Sequence, residues 1–217
     1  VGYRDARRLE YVSTPRVPIY SRAWDLGPKE YGIAAYSKSA LTLATLKGIL
    51  GTETFERVMK TYYQRYSFKH PRTEDFIAVA QEVSGRDLSW FFDQAVYGRG
   101  VLDYAVESID TRRASSMYRS QVVLVRKGEV KFPVDVLIAF GDGSTQRLEW
   151  DGQTISHTLT FETSAPLAFA ALDPDKKLAL EVNTTDNSLT IRSQVAPLLR
   201  FASRWLFWMQ AILDCGF

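Results

Sequence analysis

"FFDQAVYGRGVLDYAVESID", residues 91–110, is where the chain changes its period. Upstream of Gly98 the apolar residues fall at helical spacing: Leu88, Phe91, Phe92, Ala95 and Val96 stand at i, i+3, i+4, i+7 and i+8. Downstream of Gly100 they alternate, as on a strand with one buried face. A helical part followed by a strand part is an α+β arrangement, with the two kinds of structure segregated along the chain.

Working back from this point, three more helices are expected. Asp87 is placed to cap the helix that holds Phe91, and Gly85 to end the one before it. That earlier helix runs over 74–84 with Thr73 as its cap and turns Phe76, Ile77, Ala80 and Val83 inward. The loop "SFKHPR" separates it from a helix over 53–66 that carries Phe55, Val58, Met59, Tyr62 and Tyr66, since Pro71 disfavours helix just before it. The first of the series is written "YGIAAYSKSALTLATLKGILG", residues 31–51. Its periodicity puts Tyr36, Ala40, Leu43, Leu46 and Leu50 on one core-facing stripe, and Gly51 stands where a C-terminal cap is needed.

Working forward, 103–110, 117–128, 131–140, 145–150, 154–161 and 166–173 read as short strands. Turn signals at Gly128, Asp142-Gly143, Asp151-Gly152 and Asp173-Pro174 divide them, which fits a β-sandwich. "EVNTTDNS", 181–188, reads as a polar exit loop. The expected division is 1–100 helical, 101–193 sandwich and 194–217 an apolar C-terminal helix. The last segment carries Arg200, Arg204, Trp205 and Trp208, so it is expected to dock on the protein or at a membrane interface rather than to span one.

Composition excludes several function classes. Of 217 residues 46% are hydrophobic and 24% charged, which is globular protein. A net charge of +2 gives no electrostatic footprint for nucleic acid. The single cysteine, Cys215, forms no internal disulfide. The opening "VGYRDARRLEYVSTPRVP" lacks the apolar core of a signal peptide and has no initiator methionine, so the chain is expected to be a piece of a longer protein.

Few residues offer chemistry. The histidines, His70 and His157, are far apart, and neither H-E-x-x-H nor C-x-x-C occurs, so no zinc site is expected within the chain. No G-x-S-x-G elbow or phosphate-binding glycine loop is present. Asp142, Asp151, Asp173, Asp175 and Asp186 fall in turns, where aspartate caps its own backbone more often than it binds calcium. On residue chemistry alone, Tyr36 is an aromatic of the core edge, and Lys38 is solvated or ion-paired.

The order of short motifs adds to this reading. Tyr36-Ser37-Lys38, Leu50-Gly51, the aromatic run Tyr62 to Tyr66, His70-Pro71, Thr73 to Phe76, and Ser84 to Leu88 follow one another. That succession resembles the aminopeptidase N family of zinc metallopeptidases, and "FPVDVLIAFGDGS", "EWDG" and "LDPDKKLALEVNTTDNS" resemble the sandwich that follows its catalytic domain. The resemblance covers most of residues 30–192. It implies the helical end of a thermolysin-like catalytic domain, a β-sandwich, and a parent enzyme that removes N-terminal residues from peptides.

By the same resemblance, Tyr36 matches the tyrosine whose hydroxyl stabilises the oxyanion of the tetrahedral intermediate. A phenol keeps its proton at physiological pH and donates to developing negative charge. Ser37 and Ser39 depart from the family, which has Glu and Gly there. The zinc ligands and general-base glutamate of the family lie N-terminal to its tyrosine and have no counterpart here. Zinc is therefore expected in the parent and not in this chain, which is expected to be inactive alone and to partner a missing N-terminal catalytic lobe. The competing expectation is a non-catalytic scaffold or protein-binding sandwich module.

Overall fold

The computed structural model describes residues 3–191 and Trp205. The apolar segment 194–217, apart from Trp205, and Cys215 with it, lie outside the described residues. Among the described residues, no helix is long and apolar enough to cross a membrane.

Helix α1, Tyr3–Ser13, was not foreseen from its charged sequence; it has one fully buried anchor, Tyr11. A 3₁₀ turn, Ala23–Asp25, leads to α2, Pro28–Gly32, which begins with proline at its first position, where a missing N–H costs nothing. The chain then widens into a π-helical turn, Ile33–Lys38, and continues as α3, Ser39–Leu50. α4, Thr52–Tyr66, and α5, Thr73–Ser84, pack side by side, and α6, Ser89–Phe92, runs into a second π turn, Asp93–Tyr97. Thr73 is the first helical residue of α5 and not its cap; Arg72 holds that place, its N–H donating to Asp75 Oδ2 at 2.7 Å.

The expected inward faces of α4 to α6 are present. Val58, Val79, Ala80, Leu88, Phe91, Phe92, Ala95 and Val96 are buried, with Phe55, Tyr62, Phe76 and Val83 packed against them. Gly51 separates α3 from α4 at φ 80° and ψ 158°, a conformation open in practice only to glycine.

Two antiparallel sheets follow. β1, Tyr104–Ala114, β2, Met117–Arg126, and β5, Ser156–Thr163, form one in the order β1-β2-β5. β3, Val134–Phe140, β4, Thr145–Trp150, β6, Leu167–Leu172, and β7, Ser188–Thr190, form the other in the order β4-β3-β6-β7. Strict alternation along β3 buries Val134, Val136, Ile138 and Phe140 on one face. The sequence "EVNTTDNS" is not only an exit loop, because its last residue begins the short edge strand β7, which pairs with β6.

One core joins helices and sheets. Phe132, just before β3, meets Trp90 and Phe91 with ring centroids 5.3 and 5.2 Å away. α3 lies so close to the 177 segment that a Cβ at Gly48 would sit 2.5 Å from the Lys177 carbonyl oxygen. Thr45 Oγ1 accepts from Leu180 N at 3.2 Å and donates to Leu41 O at 2.9 Å.

Candidate functional site

The π turn carries Tyr36, and it overturns the stripe expected for this helix. The buried residues are Ile33 and Ala34, Ser37 and Lys38, Leu41 and Thr42, then Thr45 and Leu46, pairs that recur every four residues. A straight α-helix would rotate such pairs by about 40° at each step, because its turn holds 3.6 residues. The wider π turn takes up part of that drift and keeps the early pairs facing inward. Tyr36 is thereby rotated out of the core and is 57% exposed, while Ala40, Leu43 and Leu50 are half-buried. Its ring meets Tyr31 edge-on at 6.4 Å.

Polar neighbours hold the turn. Ser37 donates to the Glu10 carboxylate of α1, which Arg7 also engages. Together these hydrogen bonds hold the Glu10 carboxyl below the usual range. Ser39 Oγ donates to Ala34 O at 2.7 Å, five residues back, which suits a π turn. Both serines that depart from the resembled family are thus engaged in holding the turn beside Tyr36.

Lys38 is neither solvated nor ion-paired, contrary to expectation. It is 2% exposed, and its Nζ donates to the Val17 carbonyl at 2.9 Å. Burial, with Arg99 adding repulsion, pushes its pKa down to about 8. Sequence reasoning missed Glu10 and Val17 as supports, since neither partner has a local signal. The departures at Ser37 and Ser39 are visible in the sequence, whereas the partners they engage are not.

No metal centre accompanies the tyrosine: among the described residues, no three His, Cys, Asp or Glu side chains come together as a possible ligand set. No step is therefore assigned to a metal held by this chain. His70 is exposed and His157 stacks on Trp150 at 5.9 Å. The turn aspartates are occupied locally. Asp142 accepts from Ser144 N and Asp151 from Gln153 N, at 2.9 and 3.0 Å. Asp173 accepts from Lys177 N and Leu178 N, both at 2.8 Å, and Asp175 and Asp186 pair with Arg147 and Lys127.

Residues 26–95 match the family model described as the peptidase family M1 domain. Over 62 residues the chain is 42% identical to aminopeptidase N of Caulobacter vibrioides, covering 29% of the chain and 7% of that relative. Over 54 residues it is 37% identical to aminopeptidase M1-D of Oryza sativa subsp. japonica, covering 25% of the chain and 6% of the relative. The crystal structure of Legionella pneumophila aminopeptidase A in complex with aspartic acid aligns with a TM-score of 0.51 at 18% identity. That alignment covers 70% of this chain and 18% of the other, and it shows a shared fold.

Proposed function

We propose that the chain belongs to the aminopeptidase N family of M1 peptidases and that it contributes Tyr36 to the active site of a zinc-dependent aminopeptidase. The observation that carries this reading is the π turn, which exposes the phenol while Ser37 and Lys38, the two residues after it, are buried and tied to α1 and to Val17. A side chain on a pinned backbone loses little freedom when it must meet a reacting group, which is what an oxyanion donor requires.

In this reading residues 1–100 are the helical end of the catalytic domain and 101–193 the sandwich that follows it. The substrate is a peptide with a free N-terminus. As its first peptide bond is attacked, negative charge collects on the carbonyl oxygen, and the Tyr36 hydroxyl donates a hydrogen bond to it without giving up its proton. The zinc and its ligands are assigned to the N-terminal catalytic lobe of the parent, which this chain does not contain. The isolated chain is expected to cleave nothing.

In the longer polypeptide, Tyr36→Phe should lower kcat on an aminoacyl anilide by roughly 10²–10³-fold, the usual effect of losing one oxyanion donor. Zinc content and thermal stability should stay as they are. Unchanged kcat would remove Tyr36 from the mechanism. For the isolated chain, elemental analysis that finds one tightly bound zinc would contradict the assignment of the metal elsewhere.

A further inference from the structure

A cleft of about 1180 Å³ opens between the 18–26 segment, α3, α4, α5 and the end of the second π turn. One wall is a ladder of rings. Tyr62 meets Phe76 edge-on at 5.1 Å, and Phe76 meets Phe92 edge-on at 6.1 Å. Tyr20 and Tyr97, also in the lining, pack at 5.0 Å. Tyr36 is not among the residues that line this space.

The charged residues of the lining are unbalanced. Arg22, Arg72 and Arg99 border the cleft, against one carboxylate, Asp25. Among the described residues none of the three guanidinium groups takes part in an ion pair, although nine such pairs form elsewhere. Arg99 also lies near enough to the buried Lys38 ammonium to disfavour its charge, although Lys38 itself does not line the cleft. Aromatic walls beside unneutralised guanidinium groups are complementary to a ligand with an apolar body and one negative charge. A guanidinium fork matches the two oxygens of a carboxylate.

We propose that this cleft binds an apolar carboxylate, its body against the Tyr62–Phe76–Phe92 ladder and its carboxylate on Arg99 and Arg22. Tyr36 does not line it, and binding there does not depend on the catalytic reading. A free acid and the C-terminal residue of a peptide share this chemistry.

The test is a titration of the ¹⁵N-labelled chain, followed by amide shifts, with 4-phenylbutyrate and its uncharged amide. The acid should saturate cleft residues with a Kd at least tenfold below that of the amide. The double variant Arg22→Gln, Arg99→Gln should lose that preference while keeping the wild-type Tm, since both side chains are exposed. A parallel titration with N-acetyl-Ala-Ala-Ala-Phe, as free acid and as amide, separates the sources. Tighter binding of the peptide acid than of 4-phenylbutyrate points to a chain end, and the reverse points to a free acid. Equal affinity for acid and amide, or a double variant that keeps the preference, overturns the proposal. So does loss of saturable binding in the longer polypeptide, which would mean that another part of that polypeptide fills the cleft.

Discussion

The ammonium of Lys38 lies 2.9 Å from the carbonyl oxygen of Val17, and this neutral acceptor is the hydrogen-bond partner that the buried cation has among the described residues. The contact fastens the π turn to the segment after α1, two residues from the exposed phenol of Tyr36. It also leaves a charge in a place where water cannot stabilise it, and that has a pH signature.

Lys38 should make stability rise with pH in the alkaline range. Burial first, then Arg99, lowers its pKa from 10.5 to about 8. For a depressed pKa the contribution is complete above the unfolded value and is lost as pH falls through the folded one. Between pH 8 and 10.5 the wild-type chain should therefore gain stability relative to Lys38→Met, by at most about 1.4 kcal/mol per pH unit. Urea midpoints of both proteins across this range would show it, and parallel curves would refute it. The Met variant should in addition be weakened at every pH by about 1–3 kcal/mol, because the Val17 carbonyl loses its donor.

Glu181 should act in the opposite direction. It is buried where the helical part meets β1, Oε1 accepting from Tyr104 N and Asn183 N at 3.3 and 3.4 Å, while Oε2 has no partner. Burial first, then Asp103, raises its pKa to about 9 from 4.5. With a raised pKa, the contribution is complete below the unfolded value and is lost as pH climbs through the folded one. Glu181→Gln keeps an acceptor and cannot ionise. Its stability advantage over wild type should widen from pH 5 to pH 9 in chemical denaturation, and a constant difference would mean that Glu181 is ionised throughout.

Gly48→Ala should destabilise the chain although alanine is the better helix former. An exposed helical glycine gains about 1 kcal/mol on such a change. Here the new methyl would meet Lys177 O at 2.5 Å, and α3 and the 177 segment would have to separate. We expect a net loss of about 1–3 kcal/mol, the range for overpacked sites. A Tm equal to or above wild type would show that the two segments separate freely.

Tyr36→Phe should leave the isolated chain as stable as wild type, within about 0.5 kcal/mol. The side chain is 57% exposed, and among the described residues its hydroxyl makes no hydrogen bond. A clear drop in Tm would place the phenol among the supports of the fold and undercut its reading as a free donor.

The legible parts of the sequence were those whose burial is governed by local period. Leu88, Phe91, Phe92, Ala95 and Val96 lie on the inner face their spacing predicts, and β3 alternates as written. The likeness to the M1 peptidase domain was legible too, from the order of short motifs that follows Tyr36, and the match to that domain spans residues 26–95. Less could be read where polar residues go inside. Lys38, Ser37 and Thr45 look solvent-facing by composition, yet they are buried because Val17, Glu10, Leu41 and Leu180 supply partners. Those partners lie 21, 27, 4 and 135 residues away, so three of the four have no local trace.

By itself, then, the sequence determined the α+β division, the inner faces of α4 to α6 and the strand order along the chain. Only the tertiary structure decided which way Tyr36 points. A helix face is set by its phase, and the phase of this one depends on a π turn whose polar side chains are satisfied by α1 and the segment after it. Contacts made across the fold, not the spacing within the helix, bring Tyr36 out of the core.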